Sequence, residues 1–100
     1  MKGYGLEYRP QATSDLKNIF DWIAKASGPQ TSLAYVQRIE AFCQRIPLAP
    51  FRGTRRDDLA DGVRIIGFER RVSIAFLVED EVVVILRILY GGRDLAAELV

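Results

Sequence analysis

The hydrophobic pattern predicts an α+β fold: an N-terminal strand, then an antiparallel helical hairpin packed on a small, mostly antiparallel sheet that ends in a three-stranded meander. Two observations carry this prediction. Residues 10–46 repeat apolar side chains every three or four positions in two runs parted by Ser27-Gly28-Pro29. Residues 63–89 instead hold β-branched and apolar runs parted by two short charged clusters. Such an order buries the helical stripes against one face of a sheet of about four strands. One hundred residues, 49% hydrophobic and 27% charged, suit a single domain over 1–100 with an ordinary globular core.

Residues 4–9 alternate weakly and stop at Pro10, as a short first strand does. Pro10 leads into a helix that Thr13 or Ser14 can cap, with Asp15 in its first turn. Ala12, Leu16, Ile19, Phe20 and Ile23 share one face, and Trp22 lies partly off it. Ser27-Gly28 stops this helix, and Pro29 suits the first turn of the next. The second helix covers about 30–46, with Leu33, Val36, Ile39, Phe42, Cys43 and Ile46 as its stripe. So short a connection makes an antiparallel hairpin. Pro47 and Pro50 end it, and 51–62 is polar, glycine-punctuated and anchored only by Leu59, which reads as a loop.

Three strands follow at 63–68, 72–78 and 82–89, turned by Glu69-Arg70-Arg71 and Glu79-Asp80-Glu81. In the middle strand Val72, Ile74, Phe76 and Val78 take one face. Ser73, Ala75 and Leu77 take the other, leaving space for helices or a partner. The last strand is apolar on both faces and therefore central. Its one charge, Arg87, alternates onto the face of Val83, Ile85 and Leu89. There it serves either as a structural ion pair or as a contact for an anionic partner. Beyond Gly91-Gly92 the tail forms one or two helical turns, with Asp94 near their start.

A net charge of +1 excludes a protein whose overall charge drives nucleic-acid binding. The distribution is less even. Eleven of the fourteen basic residues are arginine, a planar fork suited to carboxylate or phosphate. Arg52, Arg55, Arg56, Arg64, Arg70 and Arg71 fall within one fifth of the chain, beside Asp57, Asp58, Asp61 and Glu69. Cys43 is the only cysteine and there is no histidine, so no disulfide, zinc site or cofactor is expected. Cys43 reads as a small buried hydrophobe. The N-terminus lacks an apolar signal segment and no run reaches membrane-spanning length, so a cytoplasmic protein is expected.

Four pieces resemble the ParE branch of the ParE/RelE toxins of type II toxin–antitoxin systems. They are Tyr8-Arg-Pro-Gln-Ala12 leading into Asp15-Leu16-x-x-Ile19-x-x-Trp22-Ile23; Ala34-Tyr35; Pro50-x-x-Gly53-x-x-Arg56-x-Asp58-x-x-x-Gly62-Val-Arg64; and Arg87-Ile-Leu-Tyr90-x-x-Arg93-Asp94. Together they span nearly the whole chain. The resemblance implies a small toxin neutralised by a ParD-like antitoxin in a hetero-oligomer. ParE-like members poison DNA gyrase and block replication; RelE-like members share the fold and cut mRNA in the ribosome. Fold alone does not choose between these targets.

The residues favour the gyrase inhibitor over the enzyme. A ribonuclease of this fold needs a base, an acid and cations around the phosphate. Arg64, Arg87 and Tyr90 are the candidates for that catalytic set, but the preceding loop has no lysine and the chain no histidine. Tyr90 departs from the histidine that ParE-like sequences usually carry there, and equals a position that some ribonuclease members fill with a reactive tyrosine. In the gyrase reading no residue is catalytic, and Arg87, Tyr90 and Arg93 face the target. Trp22 and Tyr35 belong either to the core or to a groove for an amphipathic antitoxin helix. Arg55, Arg56, Arg70 and Arg71 either form a solvated face with neighbouring acids or hold acidic antitoxin residues. A homologue that binds antitoxin without being toxic is the third reading.

Overall fold

The computed structural model describes residues 3–91 and 95–99. Strand β1 (Gly5–Tyr8) precedes helices α1 (Pro10–Ser27) and α2 (Pro29–Arg45), a 3₁₀ turn at Ile46–Leu48 and strand β2 (Thr54–Arg55). Strands β3 (Arg64–Phe68), β4 (Val72–Glu79) and β5 (Val82–Tyr90) form the meander, and α3 (Leu95–Leu99) follows. The five strands lie in the order β1-β5-β4-β3-β2, with β1 parallel to β5 and the other pairs antiparallel. The segment read as a loop therefore contains an edge strand, in which Arg55 pairs with Arg64. Gly53 makes this approach possible. Its φ is +82°, and a Cβ there would lie 2.6 Å from the Ile65 carbonyl oxygen.

Helix α1 starts one turn earlier than a Thr13 or Ser14 cap would place it. Pro10 occupies its first turn, with Arg9 extended before it and no side chain capping the end. Asp15 consequently sits in the second turn, where it is buried. Gly28 alone joins the two helices, at φ +94°. That tight link presses the start of α2 onto α1, where only a small residue fits. Ser32 is buried, its hydroxyl donating to the Phe20 carbonyl at 2.6 Å, whereas Leu33 is half exposed and leaves the expected stripe.

The remaining stripes meet one sheet face. Ala12, Ile19, Val36, Ile39, Cys43 and Ile46 pack with Phe68, Val72, Ile74, Phe76, Val83, Ile85 and Ile88. On β5 this face is set by a bulge: Phe76 pairs with Ile85 but Ala75 with Arg87, so Leu86 is the extra residue. The bulge inverts the alternation. Ile88 joins Val83 and Ile85 in the core, and Arg87 moves with Leu89 to the opposite face, away from the neighbours a regular strand would give it. Both meander turns use residues at positive φ without glycine, Glu69 (48°) with Arg70 (63°) and Asp80 (51°) with Glu81 (63°).

Candidate functional site

The end of the molecule holding the β3–β4 turn gathers most of the aromatic side chains singled out above. Positions 19 and 23 of α1 point into the core, so Trp22 falls on its flank and is 57% exposed. Tyr90, the last residue of β5, meets it with ring centroids 4.6 Å apart at 82°. Tyr35 of α2 completes the set, 6.2 Å from Tyr90 and 6.0 Å from Phe68. These rings line a hollow of about 380 Å³ together with Ile23, Thr31, Arg38 and Arg71. Beyond Trp22 and Tyr90 a second hollow, of about 270 Å³, is lined by Asp15, Asn18, Ile19 and Ile88.

Cations frame the first hollow. Arg38 lies 5.0 Å from the centroid of the Tyr35 ring and forks onto Glu69 at 3.0 and 3.2 Å. This hydrogen bond holds the Glu69 carboxyl below its usual range. Arg71 lies against the Tyr90 hydroxyl, which raises its own already high pKa. The Tyr35 hydroxyl is buried and has no hydrogen-bond partner among the described residues, and burial, then the neighbouring Tyr90, push its pKa up.

Arg87 is engaged elsewhere. Its Nε and Nη2 each donate to the Asp15 carboxylate at 2.8 Å, and its Nη1 donates to the Glu98 carbonyl at 2.8 Å and pairs with the Glu98 carboxylate at 3.1 Å. Asp15 also accepts the Ile88 backbone N–H at 2.8 Å. The pairing of β1 with β5 ends at Ile85, so Asp15 serves the strand edge that β1 leaves open. One arginine thus ties α1, β5 and α3 together.

Arg55, Arg56 and Arg64 sit toward the opposite edge of the sheet. Arg55 donates to Asp57 at 2.8–2.9 Å and Arg56 to Asp58 at 2.9 Å, which lowers the pKa of both acids. Arg64 donates to the Phe51 carbonyl at 2.9 Å. Its partner across the ladder is Phe76, whereas that of Tyr90 is Val72, four residues away on β4, or about 13 Å at the rise of a strand. The structure therefore brings Trp22, Tyr35, Arg71 and Tyr90 together, with Arg70 beside them in the β3–β4 turn. It does not bring Arg64, Arg87 and Tyr90 to one point. Arg93 lies outside the described residues. Arg38 was missed by sequence reading, although it follows Tyr35 by three helical positions, the spacing at which side chains meet. Among the described residues no three metal-binding side chains cluster, and no helix is long and apolar enough to cross a membrane.

Comparison with known proteins agrees with this architecture. Residues 6–95 match the family described as the ParE toxin of type II toxin-antitoxin system, parDE. Toxin ParE3 of Caulobacter vibrioides is 33% identical over 97 residues, covering 97% of this chain and 95% of that protein. A chain from the chromosomal ParDE toxin–antitoxin system of P. aeruginosa superposes with a TM-score of 0.79 at 29% identity, over 89% of this chain and 97% of that one. A chain of the RelBE2 toxin–antitoxin complex of Mycobacterium tuberculosis shares the fold, with a TM-score of 0.63 at 17% identity, over 89% of this chain and 99% of that one. With the family matched along nearly its whole length, this chain belongs to the ParE toxins of type II toxin–antitoxin systems.

Proposed function

We propose that this toxin poisons DNA gyrase and is neutralised by a ParD-like antitoxin that lays an amphipathic segment over Trp22, Tyr35 and Tyr90. The observation that carries the target reading is the dispersal of the cleavage candidates. A centre that cuts RNA must set its acid, base and cations within about 3 Å of one phosphate. Here Arg64 is held by Phe51, Arg87 by Asp15 and Glu98, and Tyr90 packs on Trp22 beside Arg71. Arg87 then acts as a brace, and target contact falls to Tyr90 and Arg93. Likeness to the P. aeruginosa ParDE chain over the RelBE2 chain supports the same choice.

For the antitoxin, the exposed Trp22, the hollow beside it and the adjacent Arg70 and Arg71 suit a segment with apolar anchors and a carboxylate. Trp22→Ala is expected to weaken that complex at least tenfold while leaving stability within about 1 kcal/mol, since the ring is more than half exposed.

The deciding experiment is supercoiling of relaxed plasmid by purified gyrase with added toxin. Inhibition accompanied by linear DNA, and relieved by antitoxin, supports the proposal. Unimpaired gyrase beside cleavage of ribosome-bound mRNA would overturn it, and no growth arrest on induction would make the chain an antitoxin-binding homologue without toxicity.

A further inference from the structure

A second exposed aromatic corner, at the opposite end of the sheet from Trp22, takes no part in the function proposed above. Phe51 follows the 3₁₀ turn and is 61% exposed, yet it is not loose. The Tyr4 ring stands edge-on to it at 6.3 Å and 88°. The Arg64 guanidinium lies 5.5 Å from the Phe51 ring centroid while donating to the Phe51 carbonyl. Phe51, Arg55, Gly62, Arg64 and Val78 line a hollow of about 210 Å³ beside the ring. Arg52 borders Phe51 in sequence and spends its Nε on the Ala49 carbonyl at 3.1 Å.

The charges are unequal. Asp57 engages Arg55 and lies near Arg64, but a guanidinium carries five N–H donors, and the hydrogen bonds among the described residues leave most of those on Arg52 and Arg64 open to an anion. A propped, exposed ring flanked by forked cations is the chemistry that stacks a nucleobase and holds the phosphates on either side of it. Duplex DNA offers no base face to such a ring, and a net charge of +1 supplies little attraction to a duplex. Stacking must therefore contribute much of the binding, which requires an unpaired base.

We propose that the Phe51 corner binds single-stranded nucleic acid, with one unpaired base stacked on Phe51 and its flanking phosphates held by Arg52 and Arg64. The inference does not depend on gyrase being the target, because it concerns binding by the toxin alone.

The test is fluorescence anisotropy of a labelled 12-nucleotide oligothymidine with the full chain, compared with the matching RNA, a duplex of equal length and a polyglutamate peptide. Oligothymidine and the matching RNA are expected to bind in preference to the duplex and the peptide, with a salt slope of about −1.4, as two phosphate contacts on a single strand give. Phe51→Ala, which removes an exposed ring and should leave the circular dichroism spectrum unchanged, is expected to weaken binding at least about fivefold. Arg64→Gln is expected to lower the slope by about 0.7, and Lys17→Gln on α1 to change nothing. Absence of binding, preference for duplex or polyglutamate, or full affinity in Phe51→Ala would each refute the proposal.

Discussion

Replacing Asp15 should damage this protein more than any surface carboxylate, because one buried group satisfies three donors. Asp15 is 5% exposed and accepts from Arg87 Nε, Arg87 Nη2 and the Ile88 N–H, each at 2.8 Å. Alanine there leaves the Ile88 amide orphaned, which costs about 1–3 kcal/mol, and leaves Arg87 without its main counter-charge. Arg87 keeps Glu98 at 3.1 Å and its side chain is 18% exposed, so the total should lie near the low end for a broken buried pair, about 3 kcal/mol. Arg87→Met strands the more deeply buried carboxylate with a single backbone donor and should cost about 4–5 kcal/mol. The double variant Asp15→Ala/Arg87→Met buries no unpaired charge, so its loss should fall at least about 2 kcal/mol short of the sum. Urea unfolding followed by far-UV circular dichroism measures all three. At a slope of about 1.5 kcal/mol per molar urea, Asp15→Ala lowers the midpoint by about 2 M. Strictly additive losses, or single losses below about 1 kcal/mol, would show that the Asp15–Arg87 link does not brace the fold.

Alkaline stability offers a second check. Burial pushes the Cys43 thiol up from 9.0 to about 11, so the unfolded chain loses its proton first. That contribution is fully present below pH 9, is lost as pH rises through 11, and amounts to about 2–3 kcal/mol; Cys43→Ala should flatten the stability profile across that window, and an unchanged slope would contradict the assignment. Arg70→Gly, at φ 63°, should relieve left-handed strain and gain about 0.5–1 kcal/mol after the entropy of glycine is subtracted, read as a higher urea midpoint. Its effect on antitoxin affinity, measured separately, reports whether the Arg70 charge contributes to binding. Double reversal of Arg55 and Arg56 to glutamate places four acids together on an exposed edge. With both arginines paired locally to Asp57 and Asp58, the reversal should leave antitoxin affinity within about threefold, and a larger loss would move that edge into the interface.

Much of this fold was legible because it rests on local pattern. The 3.6-residue stripes marked α1 and α2, Gly28-Pro29 marked their junction, and the charged pairs marked both meander turns, since each signal is written within a few residues of where it acts. Trp22 and Tyr35 were legible as candidates for the same reason: each sits beside a stripe. The two-residue strand β2 was not, because it exists only through pairing with β3 and the glycine that lets the backbones approach. Nor was Ser32 as a core residue, since its burial follows from how closely the helices meet.

The same division runs through the candidate site. Residue types alone left no histidine and no second cysteine for an intramolecular disulfide within this sequence, and set the bias toward forked cations; the ordered motifs pointed to the ParE family. Where those cations point was decided only in three dimensions. One bulge at Leu86 shifts the alternation of β5, takes Arg87 off the core face and delivers it to Asp15, a partner seventy-two positions earlier in the chain. Strand periodicity cannot foresee that, because an inserted residue changes the face of everything after it, and the carboxylate that makes the new position tolerable comes from a different element.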